Sequence, residues 1–250
     1  MGLHINSRCS FERFVVGPGN QFAYAAALAV SEETGGDRTP LLIYGGAGAG
    51  KTHLLVAIQH RVARDPSGPN LVLVSTFGFM KEMIDGLLQG TISAFQSKYR
   101  DGCGGLLFDD LQFVAGKERT QAELLGAFDF LLGRGRRIVV ASDRPPEEIE
   151  DLDEGLRSRL ESCFTVSIQP PDSEIRLAIL RAKAEERGVA LTDDVSLFLT
   201  NSASNIRTME RSLNQILAHA RFSGSDINLE FAKKHFNVSS GDSIEPLPAV

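Results

Sequence analysis

The chain has 250 residues, of which 42% are hydrophobic and 23% are charged, and it carries a formal net charge of −6. This composition is typical of a globular protein, and no apolar run approaches the roughly 20 residues that span a membrane. The acidic balance excludes a protein that holds nucleic acid by its overall charge, so any such contact must come from a local basic patch.

The first predicted elements lead into a phosphate-binding motif. Residues 1–10 are predicted to be loosely held, and Asn20 is the expected N-cap of the alanine-rich helix that follows it. After a glycine-containing loop, an apolar strand at 41–44 runs into residues 45–52, which have the spacing G-x-x-x-x-G-K-S/T. Glycines let consecutive N–H groups point at one anion, and the helix that follows adds its positive N-terminal end.

This motif predicts the binding of ATP or ADP. Lys51 is expected to contact the β- and γ-phosphates, and the Thr52 hydroxyl is expected to ligate Mg²⁺. The nucleotide-binding residues of the loop are Gly46, Ala47, Gly48, Ala49, Gly50, Lys51 and Thr52.

Beyond the motif, strands and helices alternate up to Pro170. Strands are predicted at 71–74, 104–110, 137–141 and 164–168, the first of them buried on both faces, and helices at 51–63, around 79–87, at 92–99 and at 118–132. After Pro171 only helical periodicity remains, at 173–187, 193–200, 205–222 and 229–235. We therefore predict an α/β P-loop NTPase domain at 11–170, with a five-stranded parallel sheet flanked by helices, then an all-helical lid at 171–238 and a disordered tail at 239–250.

Acidic residues close two of the predicted strands, at the sheet edge where α/β proteins bind ligands. Asp109 is expected to reach Mg²⁺ and Asp110 to polarise the attacking water. The alternative is a solvated acidic turn, which the phosphate loop makes the weaker interpretation. Asp143 either senses the γ-phosphate or caps a turn before Arg144, and both interpretations stay open.

Two arginines are candidates for contacts with phosphate. Arg207 begins a helix, where a cation is unfavourable unless an anion lies close; a nucleotide phosphate is one such anion, and a surface pair with Glu210 is the alternative. Arg159 points away from the apolar helix face formed by Leu156 and Leu160. It is predicted either to reach a neighbouring subunit's nucleotide or to face solvent.

Together these motifs resemble the AAA+ ATPases, and specifically the ATPase domain of the bacterial replication initiator DnaA family, over about residues 11–236. The resemblance implies an ATPase with slow, switch-type hydrolysis that assembles with ATP on single-stranded origin DNA during the initiation of chromosomal replication. The segments that carry it are 14–27, 108–121, 141–146 and 204–210.

The resemblance also implies roles for single residues. Asp143 would be the sensor-one residue, Arg159 an arginine finger that acts on another subunit, and Arg207 the sensor-two arginine. Residues that would frame the adenine are Val15, Val16 and Asn20, and those that would contact DNA are Ile84, Lys117 and Arg119. The two cations gain support from their place at the beginning of a helix, whereas an apolar residue such as Ile84 on a helix is more typical of a core.

Two departures from the family pattern leave alternatives open. Gly155 stands where many members carry an arginine that supports assembly. The family's C-terminal helix-turn-helix domain has no counterpart, which suggests an excised ATPase domain or a naturally short relative.

The alternative function is a regulatory or adaptor AAA+ protein that acts on the full-length initiator, the replicative helicase or the sliding clamp. In either case we expect a bacterial, cytoplasmic, nucleoid-associated protein, in which the three widely spaced cysteines are reduced.

Overall fold

The computed structural model describes residues 9–32 and 39–236. The predicted loose segment 1–10, apart from Cys9 and Ser10, lies outside the described residues, as do the predicted tail 239–250 and most of the loop after the first helix. The chain divides into two compact units after Pro171. None of the described helices is long and apolar enough to cross a membrane.

The first unit is built on a five-stranded parallel sheet with the order β2-β3-β4-β1-β5. Its strands are β1 (Leu41–Gly45), β2 (Leu71–Ser75), β3 (Gly105–Asp109), β4 (Arg137–Ser142) and β5 (Phe164–Ile168). Its helices are α1 (Gln21–Glu32), α2 (Lys51–Val62), α3 (Thr76–Leu88), α4 (Ile92–Tyr99), α5 (Glu118–Leu132) and α6 (Glu154–Glu161). The predicted α/β class and the parallel five-stranded sheet are confirmed.

Helices cover both faces of this sheet, which explains why its strands are apolar at nearly every position. Because side chains alternate along a strand, Leu41 and Ile43 of β1 pack against α1 and α2, whereas Leu42 packs in the layer formed by α3 to α6. In that second layer the Phe79 ring lies 4.7 Å from the Tyr99 ring, which joins α3 to α4. The two layers hold the carboxyl ends of the strands at one fixed edge.

One detail of the sequence prediction is wrong, and a second holds for the backbone but not for the side chain. The run at 71–74 was expected to be buried on both faces, but β2 is one of the two edge strands and pairs only with β3, so Val72 and Leu73 are half-buried. Asn20 precedes α1, and its carbonyl oxygen accepts the first helical bond, from Tyr24 N–H at 2.9 Å. Its side chain does not cap the helix: Oδ1 accepts from Gly17 N–H at 2.8 Å and Nδ2 donates to Val15 O at 3.0 Å. Asn20 therefore fixes the loop before α1.

The second unit is entirely helical within its described residues. Its helices are α7 (Ser173–Glu185), α8 (Asp193–Ser202), α9 (Ile206–Ser223) and α10 (Leu229–His235). They bury a separate core that includes Leu180, Leu199 and Leu213. In the structure, a small all-helical unit therefore follows the α/β unit.

Candidate nucleotide-binding site

The loop between β1 and α2 has the backbone of a phosphate cradle. Gly48 and Gly50 have φ angles of 78° and 101°, a left-handed region that favours glycine. At Gly50 a side chain is also excluded, because a Cβ would lie 2.8 Å from the Phe14 ring. Within the described chain, no acceptor faces the N–H groups of Ala47 and Gly48. Donors of this kind, at the start of a helix, suit an anion.

Lys51 is held beneath this loop. Its side chain is buried, and Nζ donates to Gly45 O at 2.6 Å and to Gly46 O at 3.0 Å. Two carbonyl oxygens at the start of the loop thus fix the position of the ammonium group. A lysine placed in this way is suited to pair with phosphate oxygens.

Thr52 and Asp109 form a polar pair across two elements. Thr52 Oγ1 donates to Asp109 Oδ2 at 2.6 Å, and Asp109 is only 5% exposed. Burial, the largest cause, raises the pKa of Asp109; the Thr52 hydrogen bond lowers it in part, and the Asp110 charge raises it. A hydroxyl and a carboxylate at this spacing are oxygen ligands of the kind that Mg²⁺ prefers.

The raised pKa predicts that the charged carboxylate of Asp109 destabilises the nucleotide-free fold. Its folded pKa lies above the ordinary 3.8, so its contribution to stability is full below pH 3.8 and is lost as the pH rises through the folded pKa. At pH 7, Asp109→Asn should therefore raise the Tm of the nucleotide-free protein. Asparagine can still accept from Asp110 N–H, as Asp109 does at 2.9 Å, and can donate to Thr52.

Calorimetry with and without Mg-ATP tests this prediction. The gain in Tm should shrink as the pH falls towards 3.8. The variant should also lose most of the stabilisation by Mg-ATP, which is about 2.7 kcal/mol for a ligand at 100 times its Kd. A nucleotide-free variant that melts below the wild type at pH 7 would contradict the prediction.

Asp110 and Asp143 follow neighbouring strands, β3 and β4, at the same edge. Asp110 has a φ of 59°, and its carbonyl oxygen accepts from Thr76 Oγ1 at 2.8 Å. The Asp143 carboxylate accepts from Arg144 at 2.8 Å, and Asp143 N–H donates to Gln112 Oε1 at 3.1 Å. The carboxylate of Asp143 thus has a neighbouring cation in the described structure.

The stretch before α1 lies beside the phosphate loop. Phe14 stacks on Tyr24 at 5.9 Å and contacts the His53 ring edge-on at 5.2 Å, in addition to its close approach to Gly50. Val15 is half-buried and Val16 is 44% exposed. The three residues predicted to frame the adenine, Val15, Val16 and Asn20, therefore belong to one segment that Phe14 anchors next to the cradle.

Arg159 is held by its own subunit. Its Nε donates to Asp129 of α5 at 2.6 Å, and both side chains are 46% exposed. The two helices pack closely, since a Cβ on Gly155 would lie 3.1 Å from the Leu125 side chain. Arg157 instead bonds to the Pro146 and Ile149 carbonyls at 2.5 and 2.8 Å. Of the two arginines, Arg159 is the exposed one at the surface.

The remaining predicted residues lie on α3, at the beginning of α5 and in the second unit. Ile84 was considered more typical of a core, but it is 46% exposed on α3. The Lys117 and Arg119 side chains are exposed at the beginning of α5 and have no ion-pair partner in the described residues. Arg207 is exposed in the first turn of α9. The alternative partner suggested for it, the carboxylate of Glu210, lies 3.8 Å from Lys183 Nζ.

Sequence reasoning missed three residues of the site: Phe14, Thr76 and Gln112. Thr76 directly follows β2, the neighbour of β3, and a polar residue at that strand end was a usable signal. Gln112 lies two residues after Asp110. Phe14 carries no local signal, because its contact with Gly50 depends on the tertiary fold.

The chain is similar to known proteins over most of its length. Residues 5–167 match the family model of the bacterial DnaA ATPase domain. The chain belongs to the bacterial DnaA ATPase-domain family. It is 46% identical, over 218 residues, to the chromosomal replication initiator protein DnaA of Symbiobacterium thermophilum, covering 87% of this chain and 47% of that protein. The chain thus spans about half the length of this relative.

Solved structures of DnaA are similar as well. Domain III of the Thermotoga maritima replication initiation protein DnaA is 35% identical, with a TM-score of 0.87 over 92% of this chain and 98% of that one. A replication initiator DnaA bound to AMPPCP and single-stranded DNA is 30% identical, with a TM-score of 0.74 over 90% of this chain and 76% of that one. The DnaA-family domain described here is therefore an AAA+ ATPase domain.

Proposed function

We propose that this DnaA-family domain hydrolyses Mg-ATP slowly and uses the nucleotide as a switch for assembly on single-stranded DNA in replication initiation. One observation carries the proposal: the phosphate cradle, Lys51, the Thr52–Asp109 pair and Asp110 all lie at one edge of the sheet. Phosphate binding, a metal-ligand pair and a second carboxylate are the groups that nucleotide hydrolysis requires.

Each of these residues has its own proposed role. The loop N–H groups and Lys51 hold the phosphates, and Thr52 with Asp109 would hold Mg²⁺, which when bound neutralises charge on the phosphate oxygens. Asp110 orients the attacking water, and Asp143 lies at the end of the adjacent strand, in the sensor-one position of the family. We propose that Arg207, in the second unit, contacts the nucleotide as a sensor.

A test of hydrolysis is Asp110→Asn. Removing the carboxylate should lower the single-turnover rate constant for ATP hydrolysis by roughly 100-fold, which is within the usual range for a general base. The Kd for ATP should stay unchanged, since Asp110 does not contact the cradle. Radiolabelled phosphate release measures the first quantity and fluorescent-ATP titration the second.

The control is Asp101→Asn, which removes an equal charge from an exposed residue before β3. It should hydrolyse ATP at the wild-type rate. Equal rates for Asp110→Asn and the wild type would refute the proposed hydrolysis, whereas loss of both binding and hydrolysis would show that Asp110 supports the fold.

Contact with single-stranded DNA is proposed from the AMPPCP- and DNA-bound relative and from three exposed side chains. Lys117 and Arg119 supply positive charge on an acidic chain, and Ile84 exposes apolar surface on α3. We also place the protein in the bacterial cytoplasm, associated with the nucleoid, where the full-length initiator, helicase or clamp are further proposed partners.

Two kinds of substitution should affect DNA binding differently. Lys117→Ala should reduce the slope of log K against log salt concentration by about 0.7, because one phosphate contact is lost. Ile84→Ser should weaken binding about five-fold, from roughly 1 kcal/mol of lost apolar burial, and leave that slope unchanged. Fluorescence anisotropy with an oligothymidine, in the presence of ATP, measures both.

Leu197→Ser is the matched control for Ile84→Ser. Leu197 is 49% exposed on α8, close to the 46% of Ile84 on α3. It should bind the oligothymidine with wild-type affinity. If Ile84→Ser and Leu197→Ser weaken binding equally, the loss does not depend on the position of the apolar side chain, and Ile84 is not a DNA contact.

A further inference from the structure

Gln112 joins the two acidic residues that follow β3 and β4. It lies in a short 3₁₀ turn, Leu111–Val114, directly after Asp110, and its side chain is half-buried. Its Nε2 donates to Asp110 Oδ1 at 3.3 Å, and its Oε1 accepts from Asp143 N–H at 3.1 Å. One amide group therefore bridges the ends of two strands.

The direction of this amide is determined by its partners. The Asp143 N–H group can only donate, so the atom that faces it must be the acceptor Oε1. Nε2 then necessarily faces the Asp110 carboxylate. Rotating the amide by half a turn would oppose two donors at Asp143 and two acceptors at Asp110, so the fold sets the orientation.

The backbone of Asp110 is also fixed, by hydrogen bonds that do not involve the Gln112 side chain. Its φ of 59° is uncommon for a residue other than glycine and costs on the order of 1 kcal/mol, and such a conformation persists where the surroundings over-determine it. Thr76 Oγ1 and Phe113 N–H donate to the Asp110 carbonyl oxygen at 2.8 and 3.1 Å. With the backbone held there, Gln112 binds Oδ1, whereas Oδ2 accepts no hydrogen bond from the described residues.

We propose that Gln112 is a positioning residue for ATP hydrolysis, which holds the Asp110 carboxylate at a fixed place relative to the end of β4. The inference rests on the proposed role of Asp110. Gln112 contacts neither Lys51, Thr52 nor the loop N–H groups in the structure. Its loss should therefore change the hydrolysis step and leave nucleotide binding intact.

The test is Gln112→Met, which keeps the length of the side chain and removes both hydrogen bonds. We expect the single-turnover rate constant for ATP hydrolysis to fall by roughly 10- to 100-fold, as is usual when a reacting group is misplaced by about 1 Å. The Kd for fluorescent ATP should stay within about two-fold, an allowance for minor repacking. Gln96→Met is the matched control: Gln96 is a half-buried amide that donates to the Glu123 carboxylate at 3.0 Å on α5.

A double-mutant cycle separates positioning from a merely structural role. If Gln112 acts through Asp110, then Gln112→Met should cause no further loss of hydrolysis in the Asp110→Asn background. Equal losses in both backgrounds would overturn the inference, as would a Gln112→Met single variant with the wild-type rate. An Asp110→Asn variant that hydrolyses normally would instead refute the proposed function.

A second variant covers the case in which Gln112→Met melts at a lower temperature than the wild type. Gln112→Glu keeps an acceptor for Asp143 N–H but places a carboxylate against Asp110. It should lose hydrolysis to a similar extent while its Tm and ATP Kd stay near the wild-type values. Normal hydrolysis by Gln112→Glu would show that the donor to Asp110 is not needed.

Discussion

Replacing Lys51 with alanine should weaken ATP binding by roughly 100-fold or more, because each charge-assisted bond to a phosphate oxygen is worth about 1.5–3 kcal/mol. The ammonium group is already in place before nucleotide arrives, since Gly45 O and Gly46 O hold it at 2.6 and 3.0 Å. Little side-chain entropy remains to be lost on binding, so most of the interaction should appear as affinity.

A fluorescent-ATP titration measures this loss, and Lys81→Ala is the matched control. Lys81 pairs with Asp85 on the surface of α3, and its side chain is 76% exposed. The control also removes one positive charge but should bind ATP like the wild type. If the two variants bind ATP with equal affinity, Lys51 does not contact the phosphates and the assignment of the cradle fails.

The sequence was sufficient to predict the α/β class because each strand and helix has a local apolar pattern. It could not show that β2 is an edge strand. The order β2-β3-β4-β1-β5 depends on how distant strands pair, and a run such as 71–74 looks the same in the middle of a sheet and at its edge. The half-burial of Val72 and Leu73 follows from that order.

The distinction between local patterns and contacts between distant residues applies to the candidate site as well. The placement of Lys51, Thr52 and Asp109 at one edge of the sheet was predictable, because the motif and the strand end are local features whose positions the fold class determines. The contact between Phe14 and Gly50 and the bridge from Gln112 to Asp143 join residues that are far apart in the chain or carry no charge. The exposure of Ile84 depends on how far the neighbouring helices cover α3, which no pattern within α3 reveals.

Replacing Arg159 with alanine should weaken ATP-dependent assembly by roughly 100-fold, the usual consequence of about 3 kcal/mol lost from a charged contact at an interface. Within its own subunit Arg159 is paired with Asp129 at 2.6 Å. An exposed pair of this kind contributes little to stability, so Arg159→Ala should keep the wild-type Tm and ATP Kd. Sedimentation velocity with ATP and with ADP measures assembly.

Mixing two defective variants tests whether Arg159 acts on a neighbouring subunit. At an ATP concentration above the wild-type Kd and below that of Lys51→Ala, the Lys51→Ala variant is nearly free of ATP but still carries Arg159, and Arg159→Ala holds ATP but lacks the arginine. Each variant alone should stay monomeric with ATP. A mixture should form pairs and stop there, because only one of the two possible interfaces contains both ATP and the arginine. A mixture that stays monomeric, or an Arg159→Ala variant that assembles like the wild type, would show that Arg159 does not bridge subunits.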